Sequence, residues 1–279
     1  MTASTRVRLL RHLEEVARPR DPFMATQGYF YTRTYIQGQL ELWGEVNIQA
    51  FMYRGQTHYN FCLECPGQLG LAPIVIGAHY DTVPGTPGAD DNATGVAVLL
   101  ELARLLHQQP PRRPVHLVAF DLEEYGLLGS RAYAERLQGK AIHLMLSLEM
   151  LGYAASAHQT SERQRYPLAW FQAIYPSVPN FLALVGNWRT VPMLRRLSQA
   201  IRAQQIPCEW LPVVGKPLPD LRRSDHAPFW ERGYNAILVT DTADLRNPHY
   251  HQPSDTIATL NPTFLTGSCL GLAEGIQSL

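Results

Sequence analysis

Short, continuous apolar runs that alternate with amphipathic stretches constrain the fold of this chain most strongly. The run "PIVIGA" occupies residues 73–78, and similar runs occupy residues 114–120, 142–148 and 236–240. Such runs are typical of strands that are buried on both faces. The stretches between them place apolar residues at helical spacing, as at residues 92–107. The alternation predicts an α/β fold with three layers, α/β/α, in which a mostly parallel central sheet lies between helices on both faces.

The same patterns predict further elements at both ends of the chain. Two extended segments near 45–53 and 57–65 are expected to pair antiparallel at a sheet edge. Further elements are predicted as helices at 5–18, 25–42, 129–138, 190–205 and from about 262, and as a strand at 181–186. The segment 152–180 is rich in aromatic residues and proline, which suits either a functional loop or a satellite hydrophobic cluster. Without repeats or low-complexity linkers, residues 1–279 are interpreted as one domain.

Charge and cysteine content exclude several classes of protein. The chain carries 24 Lys+Arg and 24 Asp+Glu, so its charge gives no reason to expect nucleic acid or an anionic membrane as partner. No apolar run reaches the ~20 residues of a membrane helix, and the N-terminus lacks the apolar core of a signal peptide. A cytoplasmic protein is therefore expected. Cys62 and Cys65 fall on one predicted strand, where residues three apart face opposite ways, so we expect buried free thiols.

Acidic and histidine residues follow the predicted strands. Ligands of open α/β sheets gather outside the carboxyl ends of the parallel strands, so these side chains are expected at one edge of the sheet. Taken singly, each also suits a structural role, because acidic residues favour helix N-termini. The residues in these positions are His79, Asp81, Asp91, Asp121, Glu123, Glu124, Glu149 and His251.

Together these residues indicate a metal site. Several carboxylates at one edge would repel one another unless a cation neutralised them. Histidines with carboxylates and no cysteine suit zinc, with cobalt or manganese as alternatives. Five candidate ligands exceed what one tetrahedral ion needs, which points to two ions about 3.5–4 Å apart that share a carboxylate. Glu123 and Glu124 are neighbours and would point in different directions on an extended segment, so one can bind metal while the other acts as a general base.

Five motifs in order resemble the co-catalytic di-zinc aminopeptidases. They are "GAHYDTVPGTPGADDNATGV", "DLEEYGLLGSRAY", "SLEMLGY", "SDHAPFWERG" and "YHQPSDT". This family also contains the glutaminyl cyclases and the protease-like domain of the transferrin receptor. The resemblance covers most of the chain from about residue 70 onwards and implies the fold of the zinc exopeptidases, also called phosphorylase/hydrolase-like.

The resemblance also implies individual roles. Asp91 would bridge two zinc ions, with a cis peptide bond to Asn92, and Glu123 would be the general base. The remaining ligands would be His79 and Glu149 on one ion, and Glu124 and His251 on the other. Tyr250 matches a tyrosine that in some members hydrogen-bonds the developing oxyanion. Behind the ligands, Asp81 would orient His79. Asp225 would face the ligands or the substrate, or begin a helix. Asp255 would support His251 or form a turn. Many members have aspartate at the position of Glu149, so the longer side chain here is a departure.

The predicted activity is metal-dependent aminopeptidase hydrolysis of peptides with a free N-terminus. A glutaminyl-peptide cyclotransferase is the alternative on the same scaffold, but those enzymes usually carry an insertion after the paired glutamates that this chain lacks. A carboxypeptidase or deacylase usually has a longer gap before the bridging aspartate and an inserted dimerisation domain. A catalytically inactive binding domain would usually have lost ligands, whereas every position here holds a competent side chain. The oligomeric state is left open.

Overall fold

A computed structural model describes residues 2–155, 163–215 and 218–279. Two helices, α1 (Thr2–Val16) and α2 (Thr26–Glu41), precede a hairpin of β1 (Val46–Tyr53) and β2 (Gln56–Cys65). The central elements are β3 (Ile74–His79), α3 (Gly95–Gln108), β4 (Val115–Phe120), α4 (Leu128–Arg136) and β5 (Leu144–Glu149). The last part contains β6 (Leu182–Asn187), α5 (Val191–Ala203), β7 (Cys208–Val213), α6 (Ala227–Glu231), β8 (Ala236–Thr240) and α7 (Pro262–Ser278).

The strands of the described residues form one sheet in the order β1-β2-β4-β3-β5-β8-β6-β7. Its centre is parallel, because β4, β3, β5 and β8 run in the same direction. Antiparallel pairs join β1 to β2, β2 to β4, and β8 to β6, so the sheet is mixed around a parallel centre. The prediction of an α/β fold with helices on both faces is confirmed, as is the antiparallel hairpin at the edge.

Alternating side chains of the central strands pack into two separate cores. Ile74 and Ile76 face a large core formed with α1, α2, α3, α5 and α7, whereas Val75 faces a smaller core formed with α4 and α6. Each central strand is buried on both faces, which explains why its sequence is a continuous apolar run. Cys62 lies in the smaller core and Cys65 in the larger one, so the two thiols face opposite ways, as predicted.

Strand β7 and the short helix α6 lie outside the predicted elements, and helix α3 begins later than predicted. Strand β7 was not predicted, because only Cys208 is fully buried and the run contains Glu209 and Pro212. Helix α3 begins at Gly95 rather than at residue 92, because residues Ala89–Thr94 form a separate irregular turn with non-helical backbone at Asp91 and Asn92.

The aromatic segment 152–180 is described except for residues 156–162. Its described part contains the helical turn Ala169–Ala173 and packs Tyr166 against Phe171 and Tyr175. No helix among the described residues is long and apolar enough to cross a membrane.

Candidate active site

The predicted site residues lie at the carboxyl ends of the parallel strands. His79 is the last residue of β3 and Glu149 the last residue of β5, while the turn with Glu123 and Glu124 follows β4. Because these strands are parallel neighbours, their ends meet at one edge of the sheet. His251 reaches the same place from the loop between β8 and α7.

The Asp91 carboxylate lies between the two imidazoles. Its Oδ1 is 3.3 Å from Nε2 of His79, and its Oδ2 is 3.1 Å from Nε2 of His251. On the first side, Oε1 of Glu149 is 3.4 Å from Nε2 of His79. On the second side, Oε2 of Glu124 is 3.4 Å from Nε2 of His251. The result is two groups of three potential ligands that share Asp91, each with its ligand atoms within 4.8 Å of one another.

The backbone around Asp91 is fixed by buried hydrogen bonds. The peptide bond between Asp91 and Asn92 is cis, the geometry that the resemblance implies. The Asn92 side chain donates to the carbonyl of Leu148 at 2.8 Å and accepts from the amide of Met150 at 3.1 Å. These contacts attach the Asp91 turn to the end of β5, so Asp91 and Glu149 are held in a fixed relation.

Asp255 supports Asp91 rather than His251. Its two carboxylate oxygens accept from the backbone amides of Asp90 at 2.9 Å and of Asp91 at 3.1 Å. The adjacent Asp90 turns away from the site and accepts from Asn247 at 2.7 Å. Of the two neighbouring aspartates, only Asp91 contacts the histidines.

Asp81 performs a similar task for the paired glutamates. Its oxygens accept from the backbone amides of Glu123 at 3.0 Å and of Glu124 at 3.1 Å. Its Oδ1 is 3.5 Å from Nδ1 of His79, and that nitrogen is buried without a hydrogen-bond partner among the described residues. Asp81 therefore lies beside the His79 ring, but its hydrogen bonds position the turn after β4.

Burial and mutual charge control the protonation of this group. Burial raises the pKa of the Glu123 carboxyl well above its ordinary value, and the charges of Glu149 and Glu124 add to this rise. Burial alone would raise the pKa of Asp91, but the two imidazoles outweigh it and hold that pKa below its ordinary value. Burial also acts against the proton on His251, yet Asp91 and Glu124 raise the pKa of this histidine to about 10. Positive charge on both sides thus keeps Asp91 ionised.

These residues fit a zinc centre. The donors are imidazole nitrogens and carboxylate oxygens, the set that zinc, cobalt and manganese accept. Oε1 of Glu124 is buried and has no hydrogen-bond partner among the described residues, as expected for an oxygen that can bind a cation. Cations in the two groups would satisfy the charge that protonated histidines otherwise supply.

Tyr250, Arg223 and Ser224 lie beside the ligands. The Tyr250 ring stacks on His251 with centroids 3.8 Å apart, and its hydroxyl accepts from Nη2 of Arg223 at 3.0 Å. The Ser224 hydroxyl donates to Oε2 of Glu149 at 2.7 Å, which fixes the longer ligand side chain. Sequence reasoning did not single out Arg223 or Ser224, although Ser224 begins the quoted "SDH" motif.

Asp225, from the "SDH" motif, and His249, two residues before His251, belong to neither group of potential ligands. Asp225 is buried, and both of its carboxylate oxygens lack a hydrogen bond among the side chains and backbone described. Burial raises its pKa to about 7. Nδ1 of His249 lies 2.9 Å from the Ser254 hydroxyl, outside both groups of potential ligands.

A cavity of about 200 Å³ opens beside the ligands. Its lining includes Glu149 and Tyr250 at one end and Phe171 from the aromatic segment. Leu238 and Val185 from the sheet contribute apolar surface. A concave, largely apolar space next to convergent polar groups is typical of a substrate site.

Comparisons with known proteins agree with this geometry. A model of Peptidase family M28 matches residues 60–180, a range that contains Asp91, Glu123 and Glu149. The chain is 40% identical over 201 residues to the uncharacterized protein YfbL of Escherichia coli, covering 67% of this chain and 61% of that protein. It is 30% identical over 221 residues to aminopeptidase YwaD of Bacillus subtilis, covering 76% of this chain and 43% of that protein. The chain thus spans between two fifths and two thirds of the length of these curated relatives.

Solved structures share the fold. LapA of Legionella pneumophila superposes with a TM-score of 0.75 at 19% identity, covering 98% of this chain and 72% of LapA. A glutaminyl cyclase of Bacteroides thetaiotaomicron superposes with a TM-score of 0.70 at 18% identity, covering 100% of this chain and 98% of the cyclase. The zinc aminopeptidase BSAP of Bacillus subtilis superposes with a TM-score of 0.60 at 25% identity, covering 80% of this chain and 50% of BSAP. The family predicted from the motifs is confirmed by these matches, in which residues 60–180 carry the sequence pattern of Peptidase family M28.

Proposed function

We propose that this protein is a two-zinc aminopeptidase that removes the N-terminal residue from peptides. The observation that carries the proposal is the Asp91 carboxylate, whose two oxygens lie 3.3 and 3.1 Å from the Nε2 atoms of His79 and His251. Glu149 and Glu124 complete a matching group on each side. Zinc bound in the two groups would polarise the scissile carbonyl and lower the pKa of a water molecule.

Glu123 is the residue proposed to move the proton. It is buried beside the ligands, with only 8% of its surface exposed, and its backbone amide is fixed by Asp81. Burial raises the pKa of its carboxyl, which makes it a stronger base than an exposed glutamate. Glu123 takes a proton from the attacking water and then delivers it to the amine of the leaving peptide.

Tyr250 is proposed to stabilise the charge that develops on the carbonyl oxygen. Its ring is held against His251, and Arg223 donates to its hydroxyl oxygen. The guanidinium makes the tyrosine hydroxyl a better donor, because it withdraws electron density from the oxygen. Removal of such a donor from an oxyanion site typically lowers kcat by about 10²–10³-fold.

The substrate amine is proposed to lie against the same carboxylates. An ammonium group near Glu149 and Asp91 is favoured electrostatically, whereas an internal peptide bond brings no positive charge to that place. This difference would restrict cleavage to the first residue of a peptide.

The experiment is zinc-dependent release of amino acids from a panel of aminoacyl amides. Protein stripped with a chelator and then reloaded with zinc should regain hydrolysis, and N-acetylated versions of the same amides should remain uncleaved. Cobalt and manganese are tested in parallel. If no member of the panel is hydrolysed with any of the three metals, the proposal is wrong.

Glutaminyl cyclisation is the second candidate, because a glutaminyl cyclase shares the fold. In this chain the segment after the paired glutamates is a tight turn, with the amides of Gly126 and Leu127 both bonded to the carbonyl of Glu123. Loss of ammonia from an N-terminal glutaminyl peptide, without hydrolysis of aminoacyl amides, would favour the cyclase instead.

A further inference from the structure

One row of side chains runs across the sheet from the ligands to the far edge of the cavity. Glu149 pairs with Thr240, Thr240 with Ala183, and Ala183 with Glu209, on strands β5, β8, β6 and β7. Residues paired directly across neighbouring strands share a face of the sheet. Their chain neighbours Leu148, Val239 and Leu184 belong to the large core, so this row faces the other side.

The row forms the floor of the cavity, and all four of its members line it. Thr240 and Ala183 are small, which leaves open space between the two glutamates. The next row is apolar, with Leu238, Val185 and Leu211 paired in the same way. A side chain that enters from the ligand end therefore passes an apolar wall before it reaches Glu209.

Three strand spacings of about 4.8 Å place the Cα atoms of Glu149 and Glu209 roughly 14 Å apart. The Glu149 carboxylate is held at the ligand end by His79 at 3.4 Å and Ser224 at 2.7 Å, and Glu209 lies at the other end. A lysine side chain, whose five bonds of about 1.5 Å project about 6 Å, reaches well into this interval. A short side chain would leave the Glu209 end of the cavity unfilled.

The charged lining beyond the ligand end is mainly acidic. Among the described residues it consists of Glu209, Asp220, Asp244 and Arg223. Arg223 is already paired with Asp244 at 3.2 Å, and Arg202, 3.7 Å from Glu209, is not part of the lining, so the lining itself carries an excess of negative charge. Such a cavity favours cationic side chains and disfavours acidic ones.

The Glu209 carboxylate is available to a ligand. The nearest cation among the described side chains is Nη2 of Arg202, at 3.7 Å. That guanidinium donates to the carbonyl of Cys208, and no hydrogen bond to the Glu209 carboxylate is found within the described ranges. The Glu209 side chain is 30% exposed, so a cationic group can reach it.

We propose that Glu209 determines substrate preference, and that the cavity selects an N-terminal residue with a long apolar stem and a positively charged end. This inference rests on the proposed aminopeptidase function. Lysine and arginine side chains have this combination, because their methylene stems lie along apolar surface while the charged end finds a carboxylate. Norleucine shares the aliphatic stem and lacks the charge.

The test compares kcat/KM for lysyl and norleucyl amides, measured with the zinc-loaded protein. Wild type should prefer lysyl over norleucyl substrate by about tenfold, the ratio that about 1.4 kcal/mol supports. Glu209→Gln should reduce this ratio to near one. Glu274→Gln is the matched control, because it removes the same charge from an exposed glutamate on α7, outside the cavity lining, and should leave the ratio unchanged.

Binding of free L-lysine and L-norleucine, measured by calorimetry, separates this inference from the proposed function. Tighter binding of lysine that is lost in Glu209→Gln supports the role of Glu209 whether or not the protein turns over. If norleucyl amide is cleaved but the lysyl preference is absent or survives Glu209→Gln, the inference is wrong and the proposed function stands. Equal binding of both amino acids, or binding of neither, also overturns the inference.

Discussion

Arg20→Met tests how the loop that carries Asp91 is held in place. Arg20 is completely buried and lies behind the site. Its Nε donates to the carbonyl of Tyr80 at 2.7 Å, while Nη1 and Nη2 donate to the carbonyls of Pro87 at 2.6 Å and Gly88 at 2.9 Å. One side chain thus joins the end of β3 to the turn before Asp91.

The magnitude follows from the carbonyls that lose their donors. Methionine fills part of the volume but donates no hydrogen bond, so the carbonyls of Tyr80 and Pro87 lose their donor, whereas the Gly88 carbonyl keeps the amide of Ala93 at 3.1 Å. Each unsatisfied carbonyl costs about 1–3 kcal/mol, and the expected loss in the free energy of unfolding is therefore at least about 2 kcal/mol. At roughly 2 °C for each kcal/mol in a chain of this size, Tm should fall by about 4 °C or more.

The assay is equilibrium unfolding in urea of the chelator-treated protein, so that metal binding does not enter the comparison. Arg18→Met is the matched control two residues earlier. Arg18 makes a 3.3 Å hydrogen bond to the carbonyl of Glu14, and its guanidinium lies 4.0 Å from the centre of the Tyr31 ring, in exposed surroundings. Arg18→Met should lower the free energy of unfolding by less than about 1 kcal/mol. If Arg20→Met is no more destabilising than Arg18→Met, relief from burying the guanidinium offsets the lost hydrogen bonds and the reasoning is wrong.

Three further predictions concern separate parts of the molecule. Burial lowers the pKa of His12 to about 4 in the folded state, against about 6.5 in the unfolded state. The unfolded state therefore binds more protons between these values, and the free energy of unfolding should fall by up to about 3 kcal/mol as pH drops from about 6.5 to 4. His12→Gln should remove this pH dependence of stability in urea unfolding, and an unchanged dependence would contradict the prediction. Gly77→Ala should lower the free energy of unfolding by about 1–3 kcal/mol in the same assay, because the added Cβ would lie 2.1 Å from Cε2 of Phe120. An unchanged stability would show that the Phe120 ring moves at little cost. Asp255→Asn should weaken zinc binding about tenfold in a competition with a chromogenic chelator, because it replaces the carboxylate that accepts from the Asp91 amide. Unchanged zinc affinity would show that Asp255 does not position Asp91.

The sequence predicts the parallel centre of the fold well, for a physical reason. Strands β3, β4, β5 and β8 are buried on both faces, so nearly every residue is apolar and the run is visible without knowledge of its neighbours. Strand β7 packs one face on α5 and exposes the other to the cavity, which leaves a half-buried pattern that Glu209 and Pro212 obscure. The antiparallel direction of β6 depends on its pairing with β8, which no local pattern encodes.

The site is predictable to a similar extent. His79 and Asp91 belong to one motif that begins in β3, and Glu123 and Glu149 belong to motifs at the ends of neighbouring parallel strands, so their meeting at one edge follows from the sheet. The partners of Asp255 could not be predicted from the sequence, because the amides of Asp90 and Asp91 lie more than 160 positions away along the chain. Arg223 was missed because an arginine in a polar loop carries no signal of its own, and only the fold brings it to Tyr250.

The central claim is that Asp91 is shared between two zinc ions and that Glu123 moves the proton. Zinc content per chain and hydrolysis of aminoacyl amides, measured together for wild type and Glu123→Ala, test it most directly. Glu123 belongs to neither group of potential ligands, so both proteins should bind two zinc ions per chain. Only wild type should be active, with the variant reduced by at least about 10²-fold. A wild-type stoichiometry of one or none, or a Glu123→Ala variant that keeps full activity, would contradict the account.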